Sequence, residues 1–213
     1  MIAGGKTEGV PDPRRLYPEG TESRALAEVL ALAFRDNPLN RAVIGGSEAR
    51  RLRANRAGMR ASLSAAVPAA VVLVAPDEIG VQPSVMGGLI AMEPGQWPLS
   101  PPPWGEQIRL LMGQGWRTAR RWGEVFEALR ESHPVEPHCY LSLVGIRPNQ
   151  QGRGYGAALV AQWLEGVDRQ NHAAYVETDR PELLSFYGRF GFAQAGSTKL
   201  FGVPIWRLWR PAR

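Results

Sequence analysis

Gln151-Gly152-Arg153-Gly154-Tyr155-Gly156 stands where one periodicity gives way to another, and its reading decides the fold. Upstream, the apolar run His138–Ile146 follows a hard stop at residues 134–137 and reads as a strand. Downstream, residues 156–167 carry Leu159, Val160, Trp163, Leu164 and Val167 at the spacing of one helix face. Residues 147–154 between them are polar and glycine-containing, which reads as a loop. A loop that runs into a helix leaves the first backbone N–H groups unpaired, and alternating glycines remove the side chains that would keep an anion from them. Arg153 adds a cation nearby. The stretch predicts a nest for a phosphate or pyrophosphate, with a plain tight turn as the competing reading.

Two familiar phosphate loops fit less well. No Gly-Lys-Ser/Thr follows the glycines, so a Walker loop is absent. Gly152, Gly154 and Ala157 satisfy G-x-G-x-x-A, and Glu177 stands about twenty residues on, where a dinucleotide fold places its ribose-binding acid. In that fold the glycines follow the strand at once, whereas residues 147–151 intervene here, and only one strand-helix-strand unit is present.

Outward toward the C-terminus, the pattern predicts a strand at Ala173–Thr178, a short helix over 181–189 and strands over 194–200 and 204–209. Toward the N-terminus, residues 1–13 read as a disordered tail. Thr21 is placed to cap a helix whose apolar residues Leu26, Val29, Leu30, Ala33 and Phe34 recur with helical spacing, and Asn37-Pro38 ends it. Ser47 opens a second helix through Leu52, Met59, Leu63 and Ala66, stopped by Pro68. Strands follow over 69–75 and at Val85–Met92. Five prolines and a glycine between Glu93 and Trp104 make a loop. Helical spacing returns in Ile108, Leu111, Met112 and Trp116, and again in Trp122, Val125, Phe126 and Leu129. No linker interrupts the series, so an α/β (α+β type) single domain over residues 14–213 is expected, its acceptor-side half about 14–133 and its coenzyme-side half about 134–213.

Composition excludes several classes. The chain has 213 residues, 44% of them hydrophobic, enough for a core. No apolar run approaches the ~20 residues of a membrane helix, and the N-terminus lacks the apolar region of a secretory signal, so a cytoplasmic location with no membrane partner is expected. Cys139 is the sole cysteine, and with three histidines it forms no metal-ligand cluster, so no metal is expected. The net charge is +5, yet all but Lys6 and Lys199 of the 25 basic residues are arginines interspersed with acids. That pattern predicts surface ion pairs, and no nucleic-acid partner. The arginines 50, 51, 53, 56 and 60 read the same way, as a wet helix face. Core packing is expected to account for most of the seven tryptophans.

Val144-Gly145-Ile146-Arg147-Pro148, the glycine loop, and Phe186-Tyr187-Gly188-Arg189-Phe190-Gly191-Phe192 together resemble the GCN5-related N-acetyltransferase (GNAT) superfamily. Its signature is Q/R-x-x-G-x-G/A followed some thirty residues later by F-Y-x-x-x-G-F. The resemblance spans residues 134–213. His133-Pro134, Glu136-Pro137, Tyr140-Leu141, Glu177-Thr178 and the terminal Trp206-Arg207 region are similar to the branch that includes puromycin N-acetyltransferase. The resemblance implies a mixed, mostly antiparallel sheet with a splayed pair of parallel strands. It implies acetyl-coenzyme A as co-substrate, with the backbone of Val144, Gly145 and Ile146 along the pantetheine. The amides of Gly152, Arg153, Gly154, Tyr155 and Gly156 would lie on the pyrophosphate, and Gln151 and Ala157 in the same lining. Leu183 and Arg180 stand where many relatives carry asparagine.

Acetyl transfer to an amine requires removal of the amine proton, stabilisation of a tetrahedral oxyanion and a proton for the departing thiolate. Tyr187 matches the family's tyrosine beside the coenzyme sulfur and is the candidate acid, the alternative being an aromatic core with Phe186, Phe190 and Phe192. His138 is one candidate base: strand alternation puts it on a face with Tyr140, Ser142 and Val144. A local hydrogen bond at the strand end is the alternative. Glu177 is the second candidate, against a helix cap or an ion pair with arginine. Asp36 and Asn37 stand at a turn that often lines the acceptor site. A small-molecule amine acceptor attacking directly is expected, and a homodimer is compatible with the sequence. A non-catalytic acyl-coenzyme A sensor is the other function the same loop would serve.

Overall fold

A computed structural model describes residues 12–15, 21–67, 71–76 and 85–213. Among the described residues seven strands form one sheet: β1 (Arg14–Arg15), β2 (Val71–Pro76), β3 (Val85–Met92), β4 (His138–Ile146), β5 (Ala173–Thr178), β6 (Ala193–Leu200) and β7 (Val203–Arg210). Their order is β1-β2-β3-β4-β5-β7-β6, antiparallel throughout except for the parallel pair β4 and β5. The helices are α1 (Thr21–Phe34), α2 (Pro38–Ile44), α3 (Glu48–Ala66), α4 (Trp104–Gln114), α5 (Trp116–Ser132), α6 (Tyr155–Arg169) and α7 (Glu182–Gly188). The expected tail up to residue 11, the start of the strand expected over 69–75 and the cap expected of the Thr21 side chain lie outside what is described.

Each sheet face is covered by its own apolar stripe. On one face, α6 buries the five residues its periodicity singles out, Leu159, Val160, Trp163, Leu164 and Val167, against Cys139, Leu141, Ala174, Val176 and Leu208. On the other, Leu26 and Leu30 of α1 and Met59 and Leu63 of α3 pack over Ile90, Met92, Tyr140 and Tyr175. The α3 start is capped as its sequence predicts, the Ser47 hydroxyl accepting from the Arg50 N–H at 3.3 Å. The interspersed arginines form ion pairs with neighbouring acids, among them Arg56 with Glu28 and Arg51 with Asp36.

Pro38 both ends one helix and begins another. Lacking an N–H, it fits the first position of α2, where that donor has no partner in any case. Buried Arg210 ties the end of the chain to α6, donating to Asp168 at 2.6 and 2.9 Å and to the Phe190 carbonyl at 2.9 Å. Replacing Asp168 with alanine strands two donors of a buried guanidinium. An unfolding curve of Asp168→Ala is therefore expected to show a loss of about 2 kcal/mol.

Two expectations from periodicity need correction. The helix through Ile108, Leu111 and Met112 forms, but those side chains face solvent, and Trp104 and Trp116 are exposed with them. The inner side of α4 approaches α3 closely at one small residue, Gly113 against Ala57, with Gln114 donating to the Ala54 carbonyl beside it. The strict alternation expected of β4 also fails, because the β3 register skips a residue there.

Candidate active site

The register of β4 creates the opening. Its first half pairs with β5, from His138 opposite Ala173 to Leu141 opposite Val176, and there the pairing ends. Residues 142–146 remain bonded to β3 alone, so their backbone groups on the β5 side face a gap. In the same region Ile90 pairs with Leu143 and Ala91 with Leu141, which leaves Ser142 as a bulge. The extra residue moves Val144 onto the α6 face with Ile146, while Leu143 faces α1. Val144 therefore does not share a face with His138 and Tyr140, and alternation alone could not reveal this.

Glycine 145 brings α1 down onto the gap. A β-carbon there would lie 2.8 Å from Leu30 Cδ2 and 3.1 Å from both Ala33 Cβ and Phe34 Cε2. The last turn of α1 thus closes one side of the open strand. A 3-10 turn at Pro148–Gln150 then leads to the glycine loop.

Gly154 is the N-cap of α6 at φ 93° and ψ −12°, a left-handed conformation that disfavours a β-carbon. No side chain caps this helix, and its first ladder bond runs from the Ala158 N–H to the Gly154 carbonyl at 2.9 Å. The N–H groups of Tyr155, Gly156 and Ala157 precede the ladder and point out of the helix start, where the dipole favours an anion. Gly152 is also left-handed, at φ 78°. Arg153 is exposed beside them. Gln151 is engaged differently from the lining expected of it, since its Nε2 donates to the Ile146 carbonyl at 3.1 Å and holds the loop against the end of β4.

The three candidate catalytic residues lie in different places. Tyr187 is buried on the α6 face, its ring edge-on to Phe186 and Phe192, and burial pushes its phenol well above the ordinary tyrosine value. Glu177 is on the opposite face, at the end of β5 beside the gap. Its carboxylate accepts from the Tyr140 hydroxyl at 2.8 Å and the Tyr175 hydroxyl at 2.7 Å. Burial raises its pKa above the carboxylate value, and the two tyrosine bonds and Arg207 oppose that rise without cancelling it. It neither caps a helix nor pairs directly with an arginine.

His138 is not brought to the gap. It lies in the paired half of β4, and its Nδ1 sits 2.6 Å from the Glu136 carbonyl, so that nitrogen donates. Its Nε2 is then left to accept from His133 Nε2 at 3.1 Å. His133 stacks on Trp97 with ring centroids 3.9 Å apart, and burial, with His138 adjacent, lowers its pKa to about 4. Cys139 faces the α6 side, where burial lifts its thiol to about 11. Asp36 is held below the usual carboxylate range by its bonds to Arg51 and Arg35.

Sequence reasoning missed two contributors. The pair Tyr140 and Tyr175 was legible only in part, as Tyr175-x-Glu177 places phenol and carboxylate on one strand face. Asp179 carried no signal. Its carboxylate accepts from the Leu39 N–H at 2.8 Å and the Asn37 side chain at 3.5 Å, capping α2 from across the fold. This ties the end of β5 to a cleft of ≈ 380 Å³ between the end of α1 and the start of α7, lined in part by Asp36, Asn37, Gln151 and Arg180.

Comparison with known proteins bears on the fold. Residues 115–192, less than half of the chain, match the acetyltransferase (GNAT) family. A solved structure of histone acetyltransferase HPA2 and related acetyltransferase from Corynebacterium glutamicum is 22% identical with a TM-score of 0.69, covering 95% of this chain and 98% of that one. Arylalkylamine N-acetyltransferase 2 from Aedes aegypti gives 13% identity and a TM-score of 0.59, with 95% and 100% covered. A GCN5-related N-acetyltransferase from Rhodopseudomonas palustris gives 10% identity and a TM-score of 0.56, with 98% and 99% covered. The fold is GNAT-like, a mixed sheet with β4 and β5 as its parallel pair.

Proposed function

We propose that the protein is a GNAT N-acetyltransferase that passes the acetyl group of acetyl-coenzyme A directly to a primary amine of a small molecule. The observation that carries this reading is the gap where β4 parts from β5, with an uncapped helix start at its mouth and the Glu177 carboxylate at the end of β5 beside it. Tyr187, buried on the α6 face, takes its role from its match to the family's tyrosine. The N–H groups from Gly152 to Ala157, with Arg153 beside them, suit a diphosphate. The open edge of Val144, Gly145 and Ile146 suits the amide-bearing pantetheine arm and supplies an N–H for the oxyanion.

Chemistry follows from the two faces. The amine enters from the α1 side, and its nitrogen attacks the thioester carbon as the C–S bond breaks. Glu177, directly or through one water, receives the amine proton. Tyr187, protonated across the neutral range, supplies a proton to the leaving sulfur from the α6 side. His138 has no part in this scheme, since both its ring nitrogens are engaged away from the gap. The stretches similar to the puromycin branch, at His133, Tyr140 and Glu177, meet in one cluster around this carboxylate, which supports a small-molecule acceptor.

The test is thiol release from acetyl-coenzyme A across a panel of alkylamines, arylalkylamines, aminoglycosides, amino acids and N-terminal peptides. Turnover with a small amine supports the reading; binding of acetyl-coenzyme A with no turnover across the panel favours a sensor. Tyr187→Phe keeps the ring and its edge contacts, so it is expected to melt within about 1 kcal/mol of wild type. Its kcat is expected to fall about 100-fold, with KM for acetyl-coenzyme A unchanged.

A further inference from the structure

The outer face of α4 offers surface that nothing among the described residues covers. Trp104 is 79% exposed, Ile108 57%, Leu111 50%, Met112 80% and Trp116, just past the turn at Gly115, 62%. On a helix the first four fall within an arc of about 100°, the width of a packing stripe. Glu106 and Arg109 lie behind that arc and pair with each other, so no charge interrupts it. The inner face meets α3 through Gly113 against Ala57, and Gln114 donates to the Ala54 carbonyl. The amphipathicity of α4 is thus reversed with respect to its own chain.

We propose that this stripe is a self-association surface and that its occupant is the same stripe of a second copy, giving a two-fold dimer. The five side chains expose on the order of 700 Å². That exceeds the largest apolar patch of an ordinary monomer and matches the ~800 Å² per partner of a stable interface. The residue pattern is also self-complementary. About a two-fold axis near residue 110, an antiparallel second helix sets Ile108 opposite Met112 of the other copy and brings each Trp104 toward the region of the other Trp116. The Arg117 guanidinium lies over the Trp116 ring at one end of the stripe, while the centre at Ile108, Leu111 and Met112 carries no charge, so another uncharged apolar helix meets that centre without burying one.

Sedimentation of the full chain over a micromolar concentration series is expected to show a dimer. Ile108→Glu and Met112→Glu are expected to weaken it by about 30-fold or more, as charging an interface centre does. In solutions dilute enough for the wild type to be monomeric their melting curves should match it, because neither side chain is buried in the single chain. Leu111→Cys, close to the axis, should form an intermolecular disulfide on mild oxidation, while buried Cys139 stays reduced; this readout stands even where a charged variant folds poorly. A wild-type monomer throughout the series, a dimer that survives both charged substitutions, or failure of Leu111→Cys to crosslink overturns the proposal. None of these readouts depends on acetyl transfer.

Discussion

Gly154→Asp is expected to lower the affinity for acetyl-coenzyme A by at least about 100-fold while the chain stays folded. Three effects act together at this position. The backbone is left-handed at φ 93°, where a β-carbon costs roughly 1–2 kcal/mol, less for aspartate than for most residues. The new carboxylate stands at the positive end of α6 beside the N–H groups of Gly156 and Ala157, and that charge–dipole attraction offsets part of the strain. Those are the donors a diphosphate needs, and the new charge repels it. Charge-assisted bonds are worth ~1.5–3 kcal/mol each, so losing one or two of them reaches the stated factor. Gly154→Ala brings the strain without the charge and should weaken binding far less. Titration calorimetry on the three proteins checks this order. Gly154→Asp binding within about threefold of wild type would show that the loop does not hold the coenzyme.

Glu177→Gln is expected to reduce kcat by about 10²–10⁴-fold and to leave KM for acetyl-coenzyme A in place. The substitution is nearly isosteric. It removes a buried charge, which favours folding, and weakens the bonds from Tyr140 and Tyr175, which opposes it, so stability should move little. The pH profile distinguishes a proton acceptor from a packing residue. The folded pKa of Glu177 lies above 4.5, so the carboxylate is ionised above that raised value and the rate falls as pH drops through it. The glutamine variant should lose this acidic limb. Tyr140→Phe deletes a bond that favours the charged form, so its limb should move to higher pH. A Glu177→Gln enzyme with wild-type kcat, or with an unchanged acidic limb, would remove Glu177 from the chemistry.

How far the sequence revealed this architecture depended on the range of the forces involved. The strands His138–Ile146, Val85–Met92 and Ala173–Thr178 and the five inward residues of α6 stand where local periodicity puts them. The glycine loop was equally legible, because left-handed positions and an uncapped helix start are properties of the chain at that point. Features set by distant contacts were not. The Ser142 bulge depends on registration with β3, and it reversed the face assigned to Val144. His138 alternates onto the face expected, yet its partners are Glu136 and His133, which a face assignment does not specify. Asp179 caps a helix some 140 positions away in sequence, and α4 turns its large residues outward because Gly113 and Ala57 let it lie close to α3.

The central claim is that one gap holds the coenzyme, with its diphosphate on the helix start and its sulfur between two residues on opposite sheet faces. Crystals grown with acetyl-coenzyme A test it most directly. Density should place the diphosphate against the N–H groups of residues 152–157, the pantetheine along residues 144–146 and the sulfur next to the Tyr187 hydroxyl. A nucleotide seated elsewhere, or a thioester more than one hydrogen-bonding layer from Tyr187, would contradict the account.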